Sequence, residues 1–239
     1  MVTDTLSDYA SPAGREFTLA AGKFALLTPA SRVLDMGCGR GAGACNLAKE
    51  FRCRITAIDA DEDNIAIARA LAEHKSVSHL ITFTAGDALT ADFSKEPFDL
   101  VLAEGGVLSF LSRGRGLELA NKWTAPRGWF AFSDLVMLTD KVPAEVKRIF
   151  EDVTYRYESE ESYRALVAAA GFETQFMSLV PQSGWDNYYA HMARRLDDDK
   201  GFFADRRVKL AFHKEIDVFY RLEGFRFVGY LFCAARKSK

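Results

Sequence analysis

The stretch RVLDMGCGRGAGACNLA, Arg32 to Ala48, passes from a short apolar run through an acid into four glycines at alternate positions, then into a helix-like segment. Gly37, Gly39 and Ala42 satisfy the G-x-G-x-x-G/A pattern of a loop that cradles a dinucleotide pyrophosphate. Asp35 argues against that ligand. It stands two residues before Gly37, at the end of the predicted strand, where its carboxylate faces whatever lies over the loop. A pyrophosphate carries about two negative charges, and a like charge a few ångströms away in a partly buried cleft costs on the order of kcal/mol. A ligand that presents cations turns the same carboxylate into an attraction. Gly37, Gly39 and Gly41 let the backbone turn tightly and approach the ligand in either case.

Outward from this stretch, units of strand followed by helix recur from residue 31. Apolar runs bounded by Gly, Asp or Pro predict strands at Val33 to Asp35, Ile55 to Asp59, Ile81 to Ala85 and Leu100 to Ala103. Segments of 3.6-residue period predict helices at about Gly41 to Phe51, Asp63 to His74 and Arg115 to Trp123, and a fifth strand, Trp129 to Ser133, follows the turn APRG. This alternation argues for an α/β fold with a parallel sheet covered on both faces. Helices at Ala144 to Val153 and Glu160 to Ala170, the second with Ser159 as candidate cap and Gly171 as its stop, precede a strand at Thr174 to Val180. A last strand reads at Arg226 to Ala235. The residues between these two strands, 181–225, are too many for a hairpin loop. Val208, Phe212, Phe219 and Leu222 predict one amphipathic helix within this insertion. Ahead of the first strand, Phe17, Ala20, Ala21, Phe24 and Leu27 give residues 1–30 an apolar helical face, read as a lid. One domain over 1–239 is the simplest organisation.

Two more acids fall at the carboxyl ends of consecutive strands, where open α/β sheets bind ligands. Asp59 in AIDADEDN lies 22 residues after Gly37, and a carboxylate there can accept from both hydroxyls of a ribose. Asp87 in FTAGDAL can accept from an adenine amino group. Either acid alone is as well explained by a turn or a helix cap; in order with the glycine loop they point to a nucleoside. S-adenosylmethionine is the nucleoside that suits Asp35, because it has no phosphate and presents an ammonium and a sulfonium.

VLDMGCGRGAG, AIDADEDN, AGDA, FDLVLAEGG and RGWFAFSD follow one another between Ser31 and Asp134, and this series resembles the motifs of class I S-adenosylmethionine-dependent methyltransferases. The resemblance implies a Rossmann-like seven-stranded sheet in the order 3-2-1-4-5-7-6 with strand 7 antiparallel and helices on both faces. It also implies S-adenosylmethionine as cofactor, held by Asp35, Gly37, Cys38, Gly39, Gly41, Asp59, Ala60, Asp87, Ala88 and Glu104. SPAGREFTLAA, AEGG and GWDNYYAHMA further resemble bacterial small-molecule methyltransferases of unassigned substrate. The family's base and amide N-methylating members carry an Asn/Asp-Pro-Pro-aromatic tetrapeptide where this chain has AEGG, and no cysteine lies between Cys53 and Cys233 to serve cytosine carbon methylation.

Methyl transfer is an in-line displacement at an activated carbon, so the protein chiefly positions the acceptor and excludes water. Glu104, just past the fourth strand, is the candidate catalytic residue. Tyr9, Arg15, Asp134, Trp185 and Tyr188 are candidates for contacting the acceptor; each also has a structural alternative as tail, cap or packing residue. His74, His79, His191 and His213 lack metal-ligand spacing and read as surface or packing residues; no metal is expected. A net charge of −2 with 27% charged residues gives no footprint for nucleic acid or an anionic membrane. No run approaches the ~18 apolar residues of a membrane span. The early Asp4, Asp8, Arg15 and Glu16 leave no apolar leader stretch, which predicts a cytoplasmic protein with reduced thiols. A small-molecule acceptor is therefore expected, and nothing in the sequence specifies an oligomer. Two other readings stay open here: a catalytically silent nucleoside-binding protein, and a nicotinamide-dependent oxidoreductase built on Gly37, Gly39 and Ala42.

Overall fold

Val33, Leu34 and Met36 are wholly buried, and they form β1 (Arg32–Met36), the strand from which the sheet grows to both sides. Residues 9–95, 97–151, 158–196 and 205–238 are described by the computed structural model. The further strands are β2 (Arg54–Asp59), β3 (Ile81–Ala85), β4 (Phe98–Ala103), β5 (Thr124–Met137), β6 (Phe172–Leu179) and β7 (Val228–Lys237), in the sheet order β3-β2-β1-β4-β5-β7-β6. β7 runs antiparallel to both β5 and β6, and the other pairings are parallel. This is the expected order and orientation. The register sets Asp35 of β1 between Ala57 of β2 and Leu102 of β4, so the carboxyl ends of the three strands come together at one edge.

The helices are α1 (Gly14–Phe24), α2 (Ala42–Phe51), α3 (Glu62–His74), α4 (Val107–Leu111), α5 (Arg113–Trp123), α6 (Ala144–Glu151), α7 (Glu160–Ala169), α8 (Gln182–Leu196) and α9 (Arg206–Arg221). Small residues let α2 sit close on the sheet: Ala44, Cys45, Leu47 and Ala48 have no exposure. The Asp61 side chain caps α3 by accepting from the Asp63 and Asn64 amides, and Ser159 caps α7 through the Ser162 amide as expected. One apolar layer joins one face of the sheet to α2 and α3, with Ala21 of α1 in it. A second, around Leu34, Val101, Leu117, Trp123, Phe130, Phe132 and Val167, fills the other face. A third lies beneath the insertion, where Trp185, Tyr189, Phe219 and Tyr230 pack with Phe150.

Three expectations change. β5 starts at Thr124, so APRG lies inside the strand, accommodated by Arg127 at φ +63° and a register shift opposite Phe98–Leu100. Among the described residues of the insertion there are two α-helices rather than one, because α8 buries Trp185, Tyr189, Met192 and Leu196 at the i, i+4, i+7, i+11 spacing of a single face. Leu27 lies beyond the end of α1, although it is buried. The expected helix to Val153 is described only to Glu151, and Asp4 and Asp8 also fall outside the described residues.

Candidate active site

A cavity of about 910 Å³ opens over the carboxyl ends of β1, β2, β3 and β4, at the upper end of the volumes that hold small ligands. Its floor is the loop after β1. The Gly37 and Cys38 amides both donate to the Ile58 carbonyl, at 2.8 and 3.0 Å, and tie the loop to β2. Gly41 is the N-cap of α2 at φ +79°, and an added Cβ would meet that of Ala68 at 2.7 Å. Gly39, at φ +51°, has open space where its Cβ would be. Only a residue without a side chain leaves that space to a ligand.

Two carboxylates converge at the inner end. A Cβ built on Gly43 would stand 3.5 Å from Asp35 Oδ2 and 3.6 Å from Glu104 Oε2. Asp35 is buried in the sheet, and its Oδ2 lacks a hydrogen-bond partner; Glu104 Oε1 is likewise sealed and unpartnered. Glu104 Oε2 accepts from the Thr18 hydroxyl at 2.5 Å. Burial pushes the Asp35 carboxyl up to about 7, with the Asp59 charge adding to the shift. Burial pushes Glu104 up to about 8; Thr18 partly opposes this and Asp35 adds to it. On these values Glu104 is mostly protonated near neutral pH and Asp35 about half so. Beside them, the Tyr9 hydroxyl accepts from Asn46 Nδ2 at 2.9 Å, and burial holds that phenol well above its usual pKa.

Asp59 braces the floor. Its Oδ2 accepts from the Gly39 amide at 2.7 Å, and its Oδ1 accepts from the Asp61 amide at 3.0 Å and from Asn64 Nδ2 at 3.4 Å, which leaves a lone pair open on Oδ2. Asp87 is exposed and accepts from the Leu89 amide at 2.8 Å in an Asx turn, so the turn role is realised while its second oxygen stays available. Cys38, Ala60 and Ala88 also line the cavity.

Among the acceptor candidates, Tyr9 and Tyr188 reach the cavity. Asp134, Trp185 and Arg15 do not, which corrects the expectation for each. Asp134 is fully buried inside β5, where its carboxylate accepts from the Tyr163 hydroxyl and the Leu135 amide, lies 2.7 Å from Ser109 Oγ and pairs with Arg113. Trp185 faces the third apolar layer, stacked on Tyr189 with ring centroids 5.7 Å apart and 4.8 Å from Phe219. Arg15 projects to solvent from α1. Conversely, His191 lines the cavity, together with Arg40, Met192 and Arg195, none of which sequence reasoning had singled out as site residues. The i, i+3, i+4, i+7 spacing of Tyr188, His191, Met192 and Arg195 is the signal that could have found three of them. Thr18 and Asn46 carry no such signal, since each acts through a contact made only in the fold.

Comparison with known proteins matches this geometry. Residues 33–128 match the family model described as a methyltransferase domain. Phosphoethanolamine N-methyltransferase 1 of Arabidopsis thaliana is 24% identical over 189 residues, 79% of this chain and 37% of that protein. The chain thus spans a little over a third of that curated relative. A solved S-adenosylmethionine-dependent methyltransferase from Thiobacillus denitrificans, in complex with S-adenosyl-L-homocysteine, superposes with a TM-score of 0.78 at 21% identity, over 96% of this chain and 94% of that one. The [4+2]-cyclase SpnF superposes with a TM-score of 0.74 at 23% identity, over 93% and 80%. Residues 33–128 thus resemble a methyltransferase domain, and the chain shares the fold of these solved structures.

Proposed function

We propose that the protein is an S-adenosylmethionine-dependent methyltransferase that transfers a methyl group to a small-molecule acceptor by in-line displacement. The observation that carries this reading is the pair of buried carboxyls, Asp35 and Glu104, each with an unpartnered oxygen beside a glycine loop. A cation satisfies both oxygens, whereas a pyrophosphate would leave them opposed. Asp35 holds the donor's ammonium, Asp59 the ribose hydroxyls, and Asp87 with Ala60 and Ala88 the adenine. When bound, the donor supplies a methyl group already activated by its sulfonium.

Glu104 orients the acceptor and takes its proton. With its pKa raised to about 8 it is a stronger base than an ordinary carboxylate once ionised, the form that a bound cation favours. Tyr9 and Tyr188 flank the acceptor's approach, α1 acts as the lid and α8 with α9 closes the far side, all within one domain. Among the described residues no helix is long and apolar enough to cross a membrane. The reading carries a cytoplasmic location and, with a net charge of −2, no nucleic-acid substrate.

The likeness to a cyclase favours one second reading, in which the cofactor site persists and the chemistry differs, because a fold does not fix a reaction. Incubation with methyl-labelled S-adenosylmethionine and a metabolite extract separates the two. Label in a small molecule supports methyl transfer; cofactor binding with no labelled product supports the second reading.

A further inference from the structure

The cavity wall that follows β4 differs in chemistry from the floor. α4 reads VLSFL and carries no charge; the arginines and histidines that line the cavity stand on the glycine loop, α3 and α8 instead. The helix is oriented by what lies beneath it. Leu108 is wholly buried in the second apolar layer, and Ser109 Oγ lies 2.7 Å from the buried Asp134 carboxylate. The Gly105 and Gly106 amides donate to Ser133 Oγ and to the Ser133 carbonyl, at 3.1 and 3.0 Å, and pin the turn before the helix. With Leu108 and Ser109 held inward, Val107, Phe110 and Leu111, at i, i+3 and i+4, face the cavity. Phe110 is 64% exposed there, a large ring left in water on the wall of a cleft.

Resting on the methyltransferase reading, we propose that the acceptor is a hydrophobic small molecule whose apolar body lies on this face of α4, with its reacting atom at Glu104. β4 neighbours β1 on the side away from β2, so Asp59 and Asp87, the acids read as holding the nucleoside, lie toward the opposite end of the cavity. α4 nonetheless borders the floor: a Cβ built on Gly37 would stand 2.6 Å from Val107 Cγ2. Glu104 immediately precedes the Gly105–Gly106 turn into α4, so one ligand can reach the carboxyl and the wall together. Tyr188 and Met192 of α8 pack in one cluster with Phe212 of α9, and all three line the cavity, which offers the same body further apolar surface. Moving an apolar body from water onto such side chains is favourable in proportion to the area covered. A small charged acceptor would leave Phe110 as wet as before.

The test titrates N-phenyl-1-naphthylamine, an uncharged probe that fluoresces in apolar surroundings, into protein saturated with S-adenosylhomocysteine. Saturable fluorescence that ethanolamine does not displace is expected. Phe110→Ser should weaken probe binding about tenfold, as fits the loss of one ring that the ligand covers, whereas Phe110→Leu, still apolar, should keep most of it. Both variants should hold S-adenosylhomocysteine within twofold of the wild type. Leu179→Ser, at an exposed apolar residue of β6 outside the cavity lining, should leave probe binding unchanged. Absence of saturable fluorescence, displacement by ethanolamine, unchanged probe affinity in Phe110→Ser or equal weakening in Leu179→Ser overturns the proposal. A tenfold loss of S-adenosylhomocysteine affinity in Phe110→Ser also overturns it, because this wall would then belong to the donor. Wild-type protein that binds no S-adenosylhomocysteine overturns the methyltransferase reading itself, a failure distinguishable from the others.

Discussion

The Thr18 hydroxyl donates to Glu104 Oε2 across 2.5 Å and 86 residues of sequence, joining the helix that precedes the sheet to the carboxyl at the end of its fourth strand. Thr18 is fully buried, so the bond is shielded from water. Thr18→Val keeps the shape and removes the donor, leaving Glu104 with neither oxygen satisfied. Stability should fall by about 1–3 kcal/mol, the penalty for a stranded buried acceptor. Glu104→Gln is the companion variant. It should keep the Thr18 bond and the fold, while turnover drops about 10²- to 10⁴-fold. Denaturation midpoints and single-turnover methyl transfer check the pair; a wild-type rate for Glu104→Gln would remove this residue from the chemistry.

Proton linkage at the two carboxyls predicts a pH-dependent cofactor affinity. In the empty protein Asp35 and Glu104 titrate at about 7 and about 8, and a cationic ligand favours their charged forms. Binding below these values must expel protons, so affinity should rise with pH up to about 8, by at most about tenfold per unit for each proton released. The same shifts act oppositely on the empty fold. An acid whose folded pKa exceeds its unfolded value of about 4 contributes stability in full below pH 4, and loses it as pH rises through the folded pKa. Empty protein should therefore weaken between about pH 4 and pH 8 through these two groups. Titrations in buffers of different ionisation enthalpy measure the protons released; a release of zero at pH 6 contradicts the assignment.

At Gly39 the prediction is loss of binding with little loss of fold. The position is open, so an added Cβ meets no protein atom within 4 Å, but a valine projects into the ligand's space and strains a backbone at φ +51°. Gly41→Val should instead destabilise the protein, since its Cβ collides with Ala68. Thermal unfolding with and without S-adenosylhomocysteine distinguishes them: Gly39→Val should unfold near the wild-type temperature and show no shift with ligand.

Trp185 is assigned to packing. Trp185→Ala should cost about 3–5 kcal/mol, as large aromatic truncations in a core do, whereas Trp185→Phe should retain most of the stability and the turnover of folded protein. A stable Trp185→Phe variant with turnover reduced a hundredfold would return this residue to the acceptor site.

The strands and the glycine loop were legible because they are local: an apolar run, an acid and glycines at fixed spacing require no knowledge of the rest of the chain. The sheet order rested on the family resemblance, since periodicity cannot say which strands neighbour one another. Asp134 shows the converse limit. As a sequence it is an acid near a strand end, and only β5 continuing to Met137 turns it into a buried acceptor for Ser109 and Tyr163. Thr18 was illegible because its partner is 86 residues away. α8 was missed although its pattern was present, because tyrosines, histidine and arginines dilute the apolar signal on a helix that faces a core on one side and a cavity on the other.

The central claim is that this loop and its acids hold S-adenosylmethionine rather than a dinucleotide, and calorimetry with S-adenosylhomocysteine, NAD and NADP tests it most directly. Wild-type protein should bind S-adenosylhomocysteine saturably and neither dinucleotide. Asp59→Ala, which loses the brace on Gly39 as well as the ribose acceptor, should bind it about 1.5–3 kcal/mol more weakly. Saturable binding of NAD or NADP, or unchanged S-adenosylhomocysteine affinity in folded Asp59→Ala, would contradict the account.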